Sequence, residues 1–234
     1  MLKDGTTTRT EHTIELGPDR GTVSALALAP ERVSTALALA HGAGAGMRHP
    51  FMEAIAERLA TRGVATLRYQ FPYMEKRLSR ADPPSVATAT VKQAVFAMSE
   101  LWPGARAFAG GKSFGARMTS TAMALGLLPD VRGLVFFGFP LHPAGRPGRE
   151  RADHLERVHV PMLFLQCTRD ALCDVEQLGV VLERLGRRAA LRLWDGADHS
   201  LHVLKRSGRT DAQVLDESTQ AAAEWMAENA SAST

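Results

Sequence analysis

The segment spanning residues 107–117 constrains the fold of this chain more than any other. A short apolar run ends in the turn Gly111-Lys112-Ser113-Phe114-Gly115, and an Ala-, Met- and Leu-rich helical pattern follows over residues 116–125. Glycines two residues to either side of the serine suit a very tight strand-to-helix turn, because side chains there would collide with neighbouring backbone. The free N–H groups at the start of the helix would also face any negative charge that develops beside the serine. The segment therefore predicts a strained nucleophile at Ser113.

The rest of the chain shows two strand patterns and then alternating strands and helices. Besides the strand before the turn, the predicted strands cover residues 8–16, 21–29, 35–40, 64–68, 131–137, 161–166 and 190–194. The predicted helices cover residues 49–62, 86–101, 116–125, 175–185 and 210–230, and the turn Pro18-Asp19-Arg20 joins the first two strands. This order predicts an α/β fold with a mostly parallel, doubly wound sheet and helices on both faces. One domain is expected over residues 1–234, with flexible ends at 1–8 and 231–234.

Composition and charge exclude several classes of protein. The chain has 234 residues, 45% hydrophobic residues and a formal charge of only +3 without a block of like charges, so no nucleic-acid partner is expected. Cys167 and Cys173 are the two cysteines and lack the spacing of a zinc site. No apolar segment approaches the roughly 20 residues of a membrane span, and no signal-peptide pattern opens the chain. We expect a reduced, cytoplasmic, soluble protein, monomeric or homodimeric, without membrane contact, cofactor or metal.

The candidate catalytic residues follow from the strand ends. In an open parallel sheet the binding site lies beyond the carboxyl ends of the strands, and the chain places Ser113, Asp170 and His199 there in that order. His199 is the candidate general base, because imidazole titrates near neutral pH. Asp170 would orient the imidazole and stabilise its protonated form. Asp170 could instead act as an N-cap for the helix that starts near Asp174.

Two neighbouring aspartates and a second histidine are alternatives. Asp198 adjoins His199, and side chains of consecutive residues in an extended loop diverge. Asp195 ends the last strand and is more typical of a turn residue that bonds its own backbone. His202 is the alternative base. Asp195, Asp198 and His199 together would also suit a metal by composition, but the sequence does not fix a complete set of three ligands.

Backbone groups and several side chains complete the predicted site. The oxyanion hole is predicted to use the N–H of Phe114 and one N–H from Ala43 or Gly44, in the glycine-rich loop after the third strand. Candidate substrate-pocket residues follow strand ends or flank the nucleophile, and packing or surface roles are the alternative for each. These candidates are Tyr69, Phe71, His142 and Lys112.

Seven motifs together resemble a known family. They are His41-Gly-Ala-Gly-Ala-Gly-Met47, Leu67-Arg-Tyr-Gln-Phe-Pro-Tyr-Met74, Gly110-Gly-Lys-Ser-Phe-Gly-Ala-Arg117, Phe139-Pro-Leu-His-Pro143, Arg151-Ala-Asp-His-Leu155, Leu165-Gln-Cys-Thr-Arg-Asp170 and Gly196-Ala-Asp-His-Ser200. The chain resembles the small α/β-hydrolases of the dienelactone hydrolase-like group, in particular a bacterial family related to testis-expressed hydrolase-like proteins. The resemblance implies the α/β-hydrolase fold with Ser113, Asp170 and His199 as the triad. Two departures, Ala116 and Cys167 in place of the usual glycines, remove no catalytic group.

The sequence therefore favours a serine hydrolase that acts on a small-molecule ester or thioester through an acyl-enzyme. The connection after the 131–137 strand is only about twenty residues long, which predicts a minimal lid or none and favours small acyl groups. The alternative from another class is a non-catalytic interaction module with the same fold, as in one eukaryotic relative of the family. Such a module is expected to lack an intact triad, whereas all three residue types are present here.

Overall fold

A computed structural model describes residues 7–18 and 20–230. Eight strands form one sheet in the order β1-β2-β4-β3-β5-β6-β7-β8. The strands are β1 (Thr8–Glu15), β2 (Thr22–Ala29), β3 (Thr35–Ala40), β4 (Val64–Tyr69), β5 (Arg106–Lys112), β6 (Leu134–Phe137), β7 (Met162–Cys167) and β8 (Ala189–Trp194). Strand β2 pairs antiparallel with β1 and β4, and the other neighbours pair in parallel. The mostly parallel sheet is confirmed.

Helices cover both faces of the sheet. They are α1 (Pro50–Thr61), α2 (Pro72–Glu75), α3 (Pro84–Leu101), α4 (Phe114–Ala124), α5 (Val175–Leu185) and α6 (Asp211–Ala230). Helices α1 and α6 pack together on one face, and α3 packs beside α4 on the other. Two helix starts follow capping rules: Asp174 accepts the N–H of Gln177 at 2.9 Å, and Thr210 and Gln213 bond reciprocally.

The fully buried strand β3 shows how the sheet positions the site. Its leucines, Leu37 and Leu39, pack on the side of α1 and α6, whereas its alanines pack on the side of α3 and α4. Small side chains on that second face let the start of α4 approach the end of β3 closely. The carboxyl ends of β3, β4, β5, β6, β7 and β8 meet at one edge, because these strands run in parallel.

The structure moves several of the predicted boundaries. The four-residue helix α2 lies in a stretch for which the sequence predicted no helix or strand. Helix α3 begins at Pro84 instead of residue 86, and β6 begins at Leu134 instead of residue 131. Thr8, which was predicted both as the start of the first strand and as part of a flexible end, is the first residue of β1. The other predicted flexible residues, 1–6 and 231–234, and Asp19 of the predicted turn lie outside the described residues, whereas residue 7 lies within them.

The connection between β6 and β7 bears on access to the site. Residues 138–161 are all described and contain one 3₁₀ helix, Glu150–Arg157, without a separate lid domain. The expectation of a minimal lid is confirmed. None of the helices in the described part of the chain combines the length and apolarity needed to cross a bilayer.

Candidate active site

Ser113 occupies the tight turn between β5 and α4. Its backbone has φ 54° and ψ −111°, a conformation that residues with a side chain rarely adopt. A Cβ atom built on Gly111 would lie 2.4 Å from the carbonyl oxygen of Ala40, and one built on Gly115 would lie 2.5 Å from the same oxygen. Glycine is therefore required on both sides of the serine because β3 passes directly against the turn.

The start of α4 provides hydrogen-bond donors beside the serine. The N–H of Ser113 donates to the carbonyl of Gly138 at 3.2 Å, and its own carbonyl accepts the N–H of Arg117 at 3.1 Å. Phe114 is the first residue of α4, a position whose N–H has no acceptor within the helix. Its N–H directly follows Ser113 in sequence, as the predicted oxyanion hole requires.

His199 and Asp170 form a hydrogen-bonded pair. Nδ1 of His199 lies 2.7 Å from Oδ2 of Asp170, a buried carboxylate that also accepts the side-chain amide of Gln166 at 2.9 Å and the N–H of Leu172 at 2.8 Å. An ionised carboxylate can only accept, so Nδ1 carries the proton and Nε2 is left as the basic nitrogen. Asp170 therefore fixes both the orientation and the tautomer of the imidazole.

The imidazole reaches the same strand end as the serine. Gly138 accepts the N–H of Ser113, and a Cβ built on Gly138 would lie 3.3 Å from Cε1 of His199. Nε2 of His199 is buried and has no hydrogen-bond partner among the described residues, so it makes no hydrogen bond to the Ser113 hydroxyl. Bonds of this kind are often long in a free enzyme and shorten when substrate binds.

The alternative carboxylates have other partners. Oδ1 of Asp195 accepts the hydroxyl of Thr168 at 2.9 Å, and Oδ1 of Asp198 accepts two backbone N–H groups of its own loop, the nearer at 2.8 Å. Among the described residues, no three His, Cys, Asp or Glu side chains are grouped closely enough to hold a metal ion. Asp170 is thus the one of the three aspartates that bonds the His199 ring.

His202 lies on the surface. Its Nδ1 bonds the carboxylate of Asp211 at 2.9 Å, and this bond raises the pKa of His202 above its ordinary value. Both side chains are about half exposed. The pair holds the loop against the start of α6 and does not involve the Asp170–His199 pair.

Lys112 is directed toward the His199 loop. Its ammonium group donates a hydrogen bond to the carbonyl of His199 and lies 5.7 Å from the centre of the Phe51 ring. Desolvation lowers the pKa of Lys112 to about 8, against the opposing effect of the Asp170 charge. Gly138 has φ +73°, a backbone conformation that favours glycine, and a Cβ built there would lie 2.6 Å from Nζ of Lys112. The contacts of Lys112 favour a role in positioning the histidine loop.

The remaining predicted pocket residues are buried. Tyr69 and Phe71 are 1% and 0% exposed and pack edge-on with ring centres 5.6 Å apart. His142 uses both ring nitrogens in backbone bonds: Nδ1 donates to the Pro143 carbonyl at 2.8 Å, and Nε2 accepts the N–H of Asp174 at 2.9 Å. Contact of these three residues with substrate stays a prediction, and their surroundings favour packing roles.

The sequence did not reveal two residues that hydrogen-bond the candidate catalytic residues, Gln166 and Gly138. In the sequence, Gln166 is recognisable only as the end of a predicted strand, and Gly138 only as the residue after the predicted strand over 131–137. Their hydrogen bonds join residues far apart in the sequence. The side chain of Gln166 accepts the N–H of Phe139, 27 residues away, and the carbonyl of Gly138 accepts the N–H of Ser113, 25 residues away. The thiols of Cys167 and Cys173 are free and buried, and burial raises the pKa of Cys167 to about 12.

The strand order and the serine turn define the α/β hydrolase fold. A family model described as an alpha/beta hydrolase domain matches residues 33–227. The chain therefore belongs to the alpha/beta hydrolase domain family. Strands β1 and β2 precede the matched region.

Solved structures share this fold at low identity. The dienelactone hydrolase from Anabaena variabilis is 20% identical, with a TM-score of 0.73 over 94% of this chain and 98% of that chain. The esterase domain of a Rhodothermus marinus protein is 16% identical, with a TM-score of 0.71 over 94% and 98% of the two chains. A lidless α/β serine hydrolase from Xanthomonas campestris is 19% identical, with a TM-score of 0.68 over 91% and 94%.

Proposed function

We propose that this protein is a serine hydrolase that cleaves small esters or thioesters through an acyl-enzyme, with Ser113 as nucleophile, His199 as general base and Asp170 as the residue that orients His199. The observation that carries the proposal is the Asp170–His199 bond of 2.7 Å at the strand end where Gly138 accepts the N–H of Ser113, a serine whose backbone is strained. A structural histidine would need neither a buried carboxylate on Nδ1 nor an unpartnered Nε2. The similarity to a dienelactone hydrolase and an esterase domain supports the same class of reaction.

The proposed reaction begins with proton transfer. Nε2 of His199 takes the proton of the Ser113 hydroxyl as Oγ attacks the carbonyl carbon of the substrate. The carbonyl oxygen becomes an oxyanion and accepts hydrogen bonds from the N–H of Phe114 and of Ala43 or Gly44. Asp170 stabilises the imidazolium that results.

The second half of the reaction regenerates the serine. The imidazolium gives its proton to the departing alcohol or thiol, and the carbon–oxygen or carbon–sulfur bond breaks to leave the acyl group on Ser113. His199 then takes a proton from water, whose oxygen attacks the acyl carbon. Collapse of this intermediate returns the proton to Ser113 and releases the carboxylic acid.

A fluorophosphonate probe tests the proposal directly. Wild-type protein should be labelled once, and Ser113→Ala should lose both labelling and ester hydrolysis. Ser99→Ala is the matched control because Ser99 lies exposed on α3. A folded wild-type protein that resists the probe would instead favour the non-catalytic interaction module.

The short connection between β6 and β7 supports a preference for small acyl groups. Without a lid domain in residues 138–161, little apolar surface is available to cover a long acyl chain. We expect acetyl to hexanoyl p-nitrophenyl esters to have a higher kcat/KM than longer esters, without activation at a lipid–water interface. A preference for dodecanoyl esters would contradict this substrate class.

A further inference from the structure

The loop after β3 has little intrinsic rigidity. It reads Gly42-Ala43-Gly44-Ala45-Gly46, and glycine peptides rotate easily. A Cβ built on Gly42 would lie 3.8 Å from the Ser113 Cβ, so the loop passes beside the nucleophile. An oxyanion hole needs N–H groups whose directions are fixed before the reaction. Within the loop the N–H of Ala45 donates to the Gly42 carbonyl only at the long distance of 3.4 Å, so further restraint on the peptide planes has to come from outside the loop.

Two buried side chains hold the carbonyl groups of this loop. The hydroxyl of Tyr73 donates to the carbonyl of Ala43 at 2.7 Å and lies 3.4 Å from the carbonyl of Gly42. Nδ1 of His41 donates to the same Gly42 carbonyl at 2.7 Å, while its Nε2 accepts the N–H of Phe71 at 3.0 Å. Tyr73 and His41 are 1% and 0% exposed. Water does not compete effectively for these bonds.

Peptide geometry converts these bonds into control of N–H directions. In a trans peptide the C=O and the following N–H point in opposite directions. Fixing the Gly42 carbonyl therefore fixes the N–H of Ala43, and fixing the Ala43 carbonyl fixes the N–H of Gly44. These are the two candidate donors on the loop side of the oxyanion hole, and both are directed away from the Tyr73 hydroxyl.

Tyr73 also contacts the other side of the predicted hole. Its ring meets the Phe114 ring edge-on, with centres 6.2 Å apart and an interplanar angle of 87°. The N–H of Tyr73 donates to Asp82 at 3.0 Å, which anchors the residue in α2. Burial raises the pKa of Tyr73 to about 12, so the hydroxyl stays a donor over the working pH range. One side chain thus touches both segments that carry oxyanion-hole donors.

We propose that Tyr73 is a positioning residue that holds the peptides at residues 42–44 in the orientation needed to bind the oxyanion. This inference rests on the proposed function and adds to it a side chain that never touches the substrate. It predicts that loss of the hydroxyl weakens transition-state binding while ground-state binding is retained.

Tyr73→Phe tests the inference because it removes one oxygen and keeps the ring against Phe114. We expect kcat for p-nitrophenyl acetate to fall about tenfold or more with KM within about twofold, since loss of an entire oxyanion-hole donor typically costs 10²–10³. Affinity for a trifluoromethyl ketone, which forms an oxyanion on Ser113, should fall by a similar factor. Rates are counted per serine labelled by the fluorophosphonate, so a loss of folded protein cannot imitate the effect.

Ser218→Ala is the matched control. The Ser218 hydroxyl is also fully buried and donates to the Val214 carbonyl at 2.7 Å, but it lies in α6. This variant should lose stability without a change in kcat or ketone affinity. If wild-type protein is labelled at Ser113 and Tyr73→Phe keeps wild-type kcat and ketone affinity, the inference is overturned and the proposed function stands. If the wild-type protein is not labelled, both are overturned.

Discussion

Replacing Ser113 by glycine should give a more stable protein than replacing it by alanine. Inside an ordinary helix the order is the reverse, because glycine loses more backbone freedom on folding. Ser113, however, has φ 54° and ψ −111°, where a Cβ atom is strained. Both substitutions remove the hydroxyl, so the comparison isolates the backbone.

The expected difference follows from two opposing effects. A non-glycine residue held in a sparsely populated backbone region costs roughly 1–3 kcal/mol in the folded state. The greater freedom of glycine in the unfolded chain costs about 0.4–1 kcal/mol. The glycine variant should therefore be more stable than the alanine variant by about 1 kcal/mol, or about 2–4 °C in Tm for a chain of this length.

Urea unfolding followed by circular dichroism measures this difference. Ala227→Gly is the matched control, because Ala227 is exposed inside α6 and its replacement should destabilise by about 1 kcal/mol. The control gives the loss of stability of Ala227→Gly relative to the wild type. If Ser113→Gly is less stable than Ser113→Ala by the same amount, backbone strain at Ser113 is refuted. Both Ser113 variants should be inactive.

Three further predictions concern the carboxylates and histidines. Asp170→Asn should lower turnover by about 10³-fold or more, because the amide favours the wrong imidazole tautomer. Asp195→Asn should keep turnover and lower the free energy of unfolding in urea by about 1 kcal/mol. The reverse pattern would assign the acid to Asp195. His199→Ala should lose on the order of 10³-fold in kcat, whereas His202→Ala should lose little; reversed losses would make His202 the base. Burial lowers the pKa of His41 to about 4, below its unfolded value, so its neutral form contributes stability that is complete above about pH 6.5 and is lost as the pH falls toward 4. His41→Gln should therefore lower the slope of unfolding free energy against pH in this window by about 1 kcal/mol per pH unit, and an unchanged slope would contradict the buried neutral form.

The sequence predicted the elements whose pattern is local. The apolar run of β3 matched its boundaries because every residue of that strand is buried, and the Gly–Ser–Gly spacing predicted the strained turn because sterics allow few alternatives. Helix α2 was missed because four residues show no periodicity. The order of the strands predicted that Asp170 and His199 lie at the same edge of the sheet. The hydrogen bond from Gln166 to Asp170 depends on the path of the loop between them, which no sequence pattern indicates.

The surroundings of the pocket candidates were harder to predict than the contact between Asp170 and His199, for a related reason. The position after a strand end specifies the edge of the sheet at which a side chain lies but not whether it faces solvent. Tyr69 and Phe71 are at that edge, yet both side chains turn into the core beside α3 and α4. Tyr73, two residues further along, bonds the loop after β3, and only the three-dimensional path of α2 reveals this contact.

The Ala40 carbonyl couples β3 to the turn that carries Ser113. A methyl group at residue 111 or 115 would lie 2.4 or 2.5 Å from this oxygen, and the obstruction is backbone that cannot rotate away. Relief would require the end of β3 to separate from β5, and His41 with the following loop would move with it. Substitutions in the turn that carries Ser113 should therefore occur together with others. A side chain at residue 111 or 115 should be tolerated only in relatives where the end of β3 has changed its conformation as well.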